Sequence, residues 1–541
     1  MKKISLFLAL FACLLIGCDS SKNKTTQCLR VNFLSDPPTL DPRKGGDPTS
    51  STVQFMLYEG LTRMTKSSST EPALAKTITI SQDQTVYTFY LRESFWIDGQ
   101  PVTAYDFEAS WKKMMDPSFP CPNANLLYPI KNAKLVKEGK LPIDKLGVRS
   151  LDASTFEVTL EGPTPYFLEL TSFCVFSPVP LHIVEKHPSW ANNVNSHLIT
   201  NGPFVLKKWK LQDQMVLEKN TDYWDSENVQ LEKIHISFIE NEMTALQMYE
   251  SGNLDFLGPP FTPIPLDSLK NLKKKGELET KPLGATTYCS FNINRYPFQN
   301  SKIRKAFSFA INREDIVKHM TALDEEIATS PIPSILKFKA NDTFFKDADQ
   351  KEARFQLKQG LEELGMSVKD LSTLTFMYVE GEVPKKIAQA LQQQWFETLG
   401  VEVRLECYTL KVYLDKLVRR DYDFAFTRFV IQYNDIMNIL DLYKFKENPK
   451  NYPGWENAEF TQILNDSMEI SDQKERISYL KQAEAILVEE MPLSPVYHWN
   501  QVYLNKPYLK EVYISPIGSI HLGKAYIETG KCDKSRSSGI Q

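Results

Sequence analysis

Cysteine and histidine are the side chains in which metal or nucleophilic chemistry would first be sought, and here their spacing predicts neither. The chain has eight cysteines and seven histidines. No two cysteines form a Cys-x-x-Cys pair, and the closest histidines, His182 and His187, are five residues apart with Pro188 behind them. Tetrahedral zinc sites usually contain closer pairs of such ligands. We therefore expect no metal ion and no cofactor.

Sequence motifs for catalysis are missing as well. The chain has no Gly-x-x-x-x-Gly-Lys phosphate loop, no Gly-x-Gly-x-x-Gly, no Gly-x-Ser-x-Gly and no His-Glu-x-x-His. Its 67 acidic residues could act as general acids or bases only in a pair placed across one substrate, which spacing along the chain does not show. Binding is therefore the leading class of function, and we predict no catalytic residue.

Cys18 is a cysteine to which the sequence does assign a chemistry. Lys2 and Lys3 precede an apolar run over residues 4–16, as in a secretory signal peptide spanning residues 1–17. The run ends in Leu15-Ile16-Gly17-Cys18, which resembles a bacterial lipobox and implies cleavage before Cys18, acylation of its thiol and a lipid anchor. The alternatives are an ordinary cleaved signal or a membrane helix, but a spanning helix needs roughly 20 apolar residues.

The segment behind Cys18 predicts a tether and then a large folded body. Residues 18–27 are polar and lack apolar periodicity, which favours a flexible stalk. Asp19 resembles the signal that retains lipoproteins in the inner membrane, which would place the body in the periplasm. The remaining chain is too long for one core. Its 42% hydrophobic residues exclude general disorder, and a net charge of −4, or −6 without Lys2 and Lys3, argues against a nucleic-acid partner.

Six cysteines remain beyond the signal and the anchor, and an oxidising compartment would allow disulfides among them. About fifteen complete pairings are possible, and the sequence does not choose among them. The six are Cys28, Cys121, Cys174, Cys289, Cys407 and Cys532.

Strand and helix signals alternate along the whole body, which indicates an α/β protein. Alternating apolar residues predict strands at 87–91, 156–160 and 401–405. Apolar residues at helical spacing predict helices at 103–114, 303–311, 387–399 and 473–490. Thr103 and Asp106 are expected to cap the first of these helices, and Gly400 to end the third.

Five blocks of sequence resemble, in order, those of the solute-binding proteins of peptide-type ABC importers, known as bacterial extracellular solute-binding protein family 5. The resemblance covers nearly the whole mature chain. Most of these residues are expected to be scaffold, with Tyr223 and Trp224 a packed pair and Arg304 either structural or in contact with ligand. The blocks are PTLDP (38–42) with YEGL (58–61), YTFYLR (87–92) with WIDGQPVTAYDF (96–107), NGPF (201–204) with NTDYWD (220–225), FNIN (291–294) with PF (297–298), and IRKAF (303–307).

This resemblance implies a two-lobed periplasmic-binding-protein fold of class II, with a ligand cleft between the lobes. Lobe I would comprise residues 28–57, 204–284 and 496–541, with an inserted subdomain at 58–203. Lobe II would be residues 285–495. Closure of the lobes would bury the ligand where hydrogen bonds are stronger than in water.

The same resemblance implies a substrate-binding lipoprotein of an ABC importer, not an enzyme. We expect it to capture oligopeptide-like solutes as a monomer and to deliver them to permease subunits in the inner membrane. A modified peptide, nickel, haem or an oligosaccharide are alternative ligands within this fold, although nickel would need clustered histidines. An extracytoplasmic hydrolase or a surface interaction protein is the alternative from another class.

The resemblance also places two main-chain segments against an extended ligand, which would pair with them as an added strand does. Gly45, Gly46 and Asp47 would lie on lobe I. Arg428, Phe429 and Val430 would lie on lobe II.

Gln432 is the informative departure from the family pattern. An Asp that precedes a Tyr-Asn pair receives the ligand's ammonium group in the oligopeptide binders that this chain resembles, and here Gln432 precedes Tyr433-Asn434. Three explanations stay open: Asp47 or Asp435 takes over the ammonium, the ligand's end is blocked or uncharged, or the register slips and Gln432 faces solvent. The family's basic groups near the ligand's carboxyl end would correspond to Phe426, Pro384 and Leu417.

Overall fold

The computed structural model describes residues 27–192, 197–321, 323–336 and 343–528. The predicted signal peptide, Cys18 and nearly all of the predicted tether lie outside these ranges. Within them, no helix is both long enough and apolar enough to cross a membrane.

The strands, numbered in chain order, are β1 Cys28–Phe33, β2 Thr62–Met64, β3 Thr70–Pro72, β4 Ala75–Ile80, β5 Val86–Leu91, β6 Val148–Asp152, β7 Thr155–Thr159, β8 Phe204–Lys210, β9 Gln214–Lys219, β10 Lys233–Phe238, β11 Phe256–Leu257, β12 Glu279–Phe291, β13 Glu326–Ile327, β14 Thr375–Val379, β15 Arg404–Tyr408, β16 Phe424–Val430, β17 Leu493–Asn505, β18 Leu509–Lys510, β19 Tyr513–Ile514, β20 Ile520–His521 and β21 Tyr526–Ile527.

The α-helices are α1 Pro48–Leu57, α2 Ala104–Met115, α3 Ala133–Lys137, α4 Phe167–Leu170, α5 Leu181–Val184, α6 Glu242–Glu250, α7 Leu266–Lys275, α8 Ser301–Phe309, α9 Arg313–Ile316, α10 Gln350–Leu364, α11 Glu382–Leu399, α12 Leu410–Arg419, α13 Met437–Leu440, α14 Ala458–Glu469 and α15 Gln473–Glu490. Short 3₁₀ turns lie at Ala124–Leu127, Ile143–Lys145, Cys174–Phe176, Ser226–Asn228, Val368–Thr373 and Asp441–Tyr443, and a π turn at Val317–Thr321.

Two four-stranded sheets lie in the first half of the chain, each with an apolar core of its own. One has the order β1-β10-β9-β8, with β1 parallel to β10. The other is the antiparallel sheet β4-β5-β7-β6. Its inward face carries Tyr87, Phe89, Phe156 and Val158, all buried, which confirms the two strands predicted there from alternation. The second sheet is the core of the segment predicted as an inserted subdomain.

The third sheet has the order β11-β17-β12-β16-β14-β15, with β13 also paired to β17. Its two long strands, β12 and β17, pair antiparallel. Val496 and Tyr497 of β17 lie in one core, whereas Leu504 of the same strand lies in another. The β12–β17 register shifts between Pro282 and Thr286, so the ladder is irregular there. Strand β17 therefore connects two hydrophobic cores.

The predicted helix cap, glycine stop and helices, which depend on neighbouring residues, are confirmed. The main-chain N–H of Thr103 donates to Asp106 Oδ2 at 2.8 Å, which forms the predicted cap of α2. Gly400, at φ +69°, ends α11 in the left-handed conformation that favours glycine. The helix predicted at 473–490 matches α15, and the one predicted at 303–311 is α8, two residues earlier at each end.

The strand predicted at 401–405 begins late, at Arg404. Val401 and Val403 are buried in the same core as Val496, but among the described residues they pair with no strand. Pairing starts where the Arg404 N–H donates to the Leu374 carbonyl at 2.9 Å, next to the start of β14. The apolar alternation at residues 401–405 therefore reflects buried side chains, and it does not mark where the β-sheet pairing begins.

Several side chains of the five family blocks are scaffold. Tyr223 and Trp224 pack together with ring centroids 5.7 Å apart. Arg304 is buried, and its guanidinium donates to the carbonyls of Phe298 and Met491, at 2.6 and 3.0 Å. Arg304 therefore ties α8 to the start of β17 and takes the structural role. No disulfide joins the cysteines within the described residues, and Cys532 lies outside them.

Candidate ligand-binding cleft

β16 has an open edge along its second half. On one side it pairs with β12 from Phe424 to Val430. On the other side β14 pairs only with Phe424 and Ala425. In the part of the chain that the structure describes, no strand continues this pairing along Arg428 and Val430. An unpaired strand edge is a template for an added strand.

Two hydrogen bonds show which main-chain groups point off this edge. The Ile431 N–H donates to the Gly284 carbonyl of β12 at 2.8 Å. Tyr413 Oη, on α12, donates to the Phe426 carbonyl from the opposite side at 2.5 Å. Because the direction of the main-chain groups alternates along a strand, the N–H and C=O of Arg428 and Val430 point the same way as the Phe426 carbonyl. These groups can therefore pair with an extended ligand.

A cavity of about 340 Å³ lies beside the end of this strand. Gly46 and Asp47, just before α1, line it together with Ile431 and Gln432, just after β16. The other lining residues come from helix α1, from residues 123–126 and 173–175, from residues 259, 260, 283 and 501, and from residues 517–519. They are Pro48, Ser51, Thr52, Phe55, Asn123, Leu126, Phe173, Cys174, Val175, Pro259, Pro260, Leu283, Gln501, Ile517, Gly518 and Ser519.

The loop before α1 needs Gly45 and Gly46 for close packing, and of the two Gly46 lines the cavity. A Cβ atom on Gly45 would lie 2.5 Å from Gln54 Oε1, and one on Gly46 would lie 2.9 Å from Pro122 Cβ. Asn123 Nδ2 donates to the Gly45 carbonyl at 2.9 Å and fixes the loop to the inserted subdomain. The loop is therefore a packed surface and not a loose turn.

Asp47 ends this loop at the start of α1. Its Oδ1 accepts a hydrogen bond from the Ser50 N–H at 2.8 Å, so the carboxylate caps the helix while it lines the cavity. A carboxylate has lone pairs for further donors on both oxygens. Asp47 can therefore cap the helix and accept from a ligand at the same time.

Gln432 lines the cavity two residues after β16. Its Oε1 accepts a hydrogen bond from Asn125 Nδ2 of the inserted subdomain at 3.2 Å, and its N–H donates to Asn438 Oδ1 at 2.8 Å. The next residue, Tyr433, stacks on Tyr166 with ring centroids 4.3 Å apart. Burial raises the pKa of both phenols, so both stay neutral at physiological pH. The segment that carries Gln432 is thus held against the inserted subdomain.

Asp435 is committed to another partner. Arg476 of α15 donates to both of its oxygens, each at 2.8 Å, and Oδ1 also accepts from the Met437 N–H at 2.8 Å. Only 5% of the Arg476 side chain and 15% of the Asp435 side chain are exposed. Asp435 does not line this cavity. The structure thus brings Asp47 and Gln432 to one cavity, and Asp435 lies outside it.

The positions predicted to face a ligand's carboxyl end carry no charge. Phe426 and Leu417 are buried, and Pro384 lies in the first turn of α11. Among the described residues, no group of three or more histidine, cysteine or acidic side chains could hold a metal ion.

A model of bacterial extracellular solute-binding proteins, family 5 (middle region), matches residues 69–451. The chain belongs to this family. The oligopeptide-binding protein OppA of Bacillus subtilis is 37% identical over 516 residues, which cover 95% of this chain and 94% of that protein. The unliganded open form of MppA, a periplasmic murein tripeptide-binding protein, matches with a TM-score of 0.80 at 30% identity, over 93% of this chain and 98% of MppA. Haemophilus influenzae OppA in complex with RPPGFSPFR matches with a TM-score of 0.74 at 26% identity, over 93% and 99%.

As members of the solute-binding family, these relatives share a two-lobed periplasmic-binding-protein fold with a ligand cleft, and they are solute-binding proteins and not enzymes. The two-lobed fold with a ligand cleft, and the class of solute-binding protein rather than enzyme, were both expected from the sequence and are confirmed. The individual ligand-binding residues and the domain boundaries stay predictions.

Sequence reasoning missed Asn123, Asn125 and Arg476. The two asparagines lie in and beside a short 3₁₀ turn without periodicity, so no local pattern singles them out. Arg476 lies one turn into α15, where a solvent-facing position is the usual expectation for arginine. All three act through residues distant in sequence, and only an accurate fold could find them.

Proposed function

We propose that this protein is a lipid-anchored receptor of an ABC importer, which captures oligopeptide-like solutes in the periplasm and delivers them unaltered to the permease. The open edge of β16 beside the cavity between the lobes carries this proposal. Main-chain groups of Arg428 and Val430 recognise an extended backbone whatever its side chains, which suits a receptor for many peptides. The named ligands of OppA and MppA support the same class of cargo.

The lobes and the anchor complete the proposal. Lobe I comprises residues 28–57, 204–284 and 496–541, with the subdomain 58–203 inserted, and lobe II comprises residues 285–495. Hinged movement about β12 and β17 would close the cleft, because only the closed form lets both lobes contact the ligand. The motif that ends at Cys18 supports acylation and retention at the inner membrane, where the protein acts as a monomer.

Asp47 and Gln432 form the end of the cleft that receives the ligand's amino terminus. Asp47 supplies the charge for a free ammonium group, since its carboxylate lines the cavity. Gln432 supplies a neutral amide where the family pattern has a carboxylate. Asp435, paired with Arg476, is the weaker candidate because a ligand would have to break that ion pair first.

Mass spectrometry under native conditions on protein purified from its own cell tests the cargo. We expect a peptide to travel with the protein, and added peptides to bind and to be recovered intact after incubation. A co-purified non-peptide, together with calorimetry that detects no peptide binding, would overturn the proposal. Cleaved peptide would point to a hydrolase instead. Peptide mapping of the amino terminus should find an acylated Cys18, and C18A should release the protein from the membrane.

A further inference from the structure

Arg428 has an exposed side chain on the strand that carries the open edge. Its guanidinium lies over the indole of Trp499, 4.9 Å from the ring centroid. Within the described ranges, no carboxylate forms an ion pair with it. The Arg428 guanidinium is therefore exposed, lies over the Trp499 ring and has no ion-pair partner among the described residues. It is available to a ligand.

Trp499 is itself held in place. Its Nε1 donates to Thr287 Oγ1 of β12 at 2.7 Å, which fixes the plane of the indole. A guanidinium that stacks on an aromatic face keeps its N–H groups in its own plane, where a carboxylate can accept two of them. The stack therefore orients Arg428 without consuming its hydrogen-bond donors.

Glu325, an acid of this neighbourhood, already has hydrogen-bond donors of its own. The charges of Glu325 and Arg428 both act on the pKa of Tyr497, so Glu325 belongs to this neighbourhood. Its Oε2 accepts from Thr321 Oγ1 at 2.6 Å and from the Leu323 N–H at 3.0 Å. Burial raises the pKa of Glu325, which further weakens it as a counter-ion.

The position of Arg428 on β16 determines what it can reach. Its main-chain groups point off the open edge, and its side chain stands on the sheet face that carries Trp499. Residues opposite each other on paired strands have Cβ atoms about 5 Å apart on the same face. A ligand residue paired with Arg428, or one diagonal to it, would therefore place its side chain or its terminal carboxylate beside the guanidinium.

We propose that the Arg428 side chain binds a carboxylate of the extended ligand, either the carboxyl terminus or an acidic side chain. This inference rests on the proposed function and narrows its cargo to peptides with a free carboxyl end or an acidic residue. Arg428 takes over the charge that is missing at Phe426, Leu417 and Pro384. Trp499 is a positioning residue, since it acts through Arg428.

Calorimetry with a set of five-residue alanine peptides tests the inference. One arm compares the free carboxyl terminus with its amide, and the other places Glu or Gln at each position in turn. We expect at least one of these neutralisations to weaken binding to the wild type about ten- to a hundredfold, as the loss of a charge-assisted hydrogen bond does. The arm that responds identifies the source of the carboxylate.

Variants then assign the effect to Arg428. R428Q should bind charged and neutralised peptides alike, with the affinity that the wild type has for the neutralised one. R428K should restore part of the preference, and W499F should reduce it severalfold with the charge retained. R149Q, which removes an exposed arginine on the inserted subdomain, is the matched control and should keep the full preference.

Two results would overturn the inference while the proposed function stands: a wild type that binds peptides without any such preference, or an R428Q variant that keeps it. A wild type that binds no peptide in either arm contradicts the proposed function itself, and this inference with it.

Discussion

Arg476 donates two hydrogen bonds, each 2.8 Å long, to the two carboxylate oxygens of Asp435, which follows Gln432 by three residues. The pair is nearly buried, and it ties α15 to the loop that follows β16. The closest acid in sequence to the ligand segment is thus part of the framework.

D435N should therefore destabilise the protein and leave ligand discrimination alone. Removing one partner of a buried ion pair costs about 3 kcal/mol, because the remaining charge stays buried. Chemical denaturation measures this loss of unfolding free energy. D415N, which breaks the exposed pair of Asp415 with Arg419, should cost at most about 1 kcal/mol. If D435N instead abolishes the preference for free over N-acetylated peptide, Asp435 is the ammonium partner after all.

D47N separates the two roles of Asp47. Asparagine caps a helix about as well as aspartate, so the unfolding free energy should change by less than about 0.5 kcal/mol. The affinity for a peptide with a free amino terminus should fall about tenfold, since a charge-assisted hydrogen bond becomes a neutral one. Affinity for the N-acetylated peptide should not change. Calorimetry that finds both peptides equally weakened would assign Asp47 a structural role only.

Q432D should increase the preference for a free amino terminus. The new carboxylate would line the cavity where Gln432 now does, and we expect the ratio of affinities for free and N-acetylated peptide to rise about tenfold. Q432N introduces a side chain of the same shape as that of Q432D but without its charge. It should keep the wild-type ratio of affinities for free and N-acetylated peptide. An unchanged ratio in Q432D would mean that the ligand's amino end lies elsewhere.

His521 should make stability depend on pH. Its ring packs against Phe55 in a tilted arrangement with ring centroids 4.7 Å apart, and burial lowers its pKa from 6.5 to about 4. Between these values the unfolded chain binds a proton that the folded protein does not, so stability falls as the pH drops from 6.5 to 4. The loss is at most about 3 kcal/mol.

Thermal melts across this window provide the measurement. H521F keeps an aromatic ring on Phe55 and should lower the slope of stability against pH. H319Q, at an exposed histidine, should keep the wild-type slope. Identical slopes in H521F and the wild type would show that other groups control the acid response.

Many of the helices and strands, and the family, could be predicted from the amino-acid pattern alone. Helix α15, the glycine stop of α11 and the inward face of β5 follow from periodicity and from glycine's access to positive φ, which are properties of neighbouring residues. The blocks of family resemblance, which extend from residue 38 to residue 307, implied the two lobes before any coordinate was known. The strand expected at Val401 began only at Arg404, because pairing depends on where β14 starts.

Which polar groups share a site became apparent only in the folded protein. Gly46 and Asp47 line one cavity with Gln432, and Arg428 lies over Trp499, although these residues are far apart in the sequence. Asp47 and Asp435 were equal candidates in the sequence, and a distant arginine on α15 separates them. The reason is physical: hydrogen bonds and ion pairs act over a few ångströms in space, whereas sequence spacing reports only neighbours along the chain.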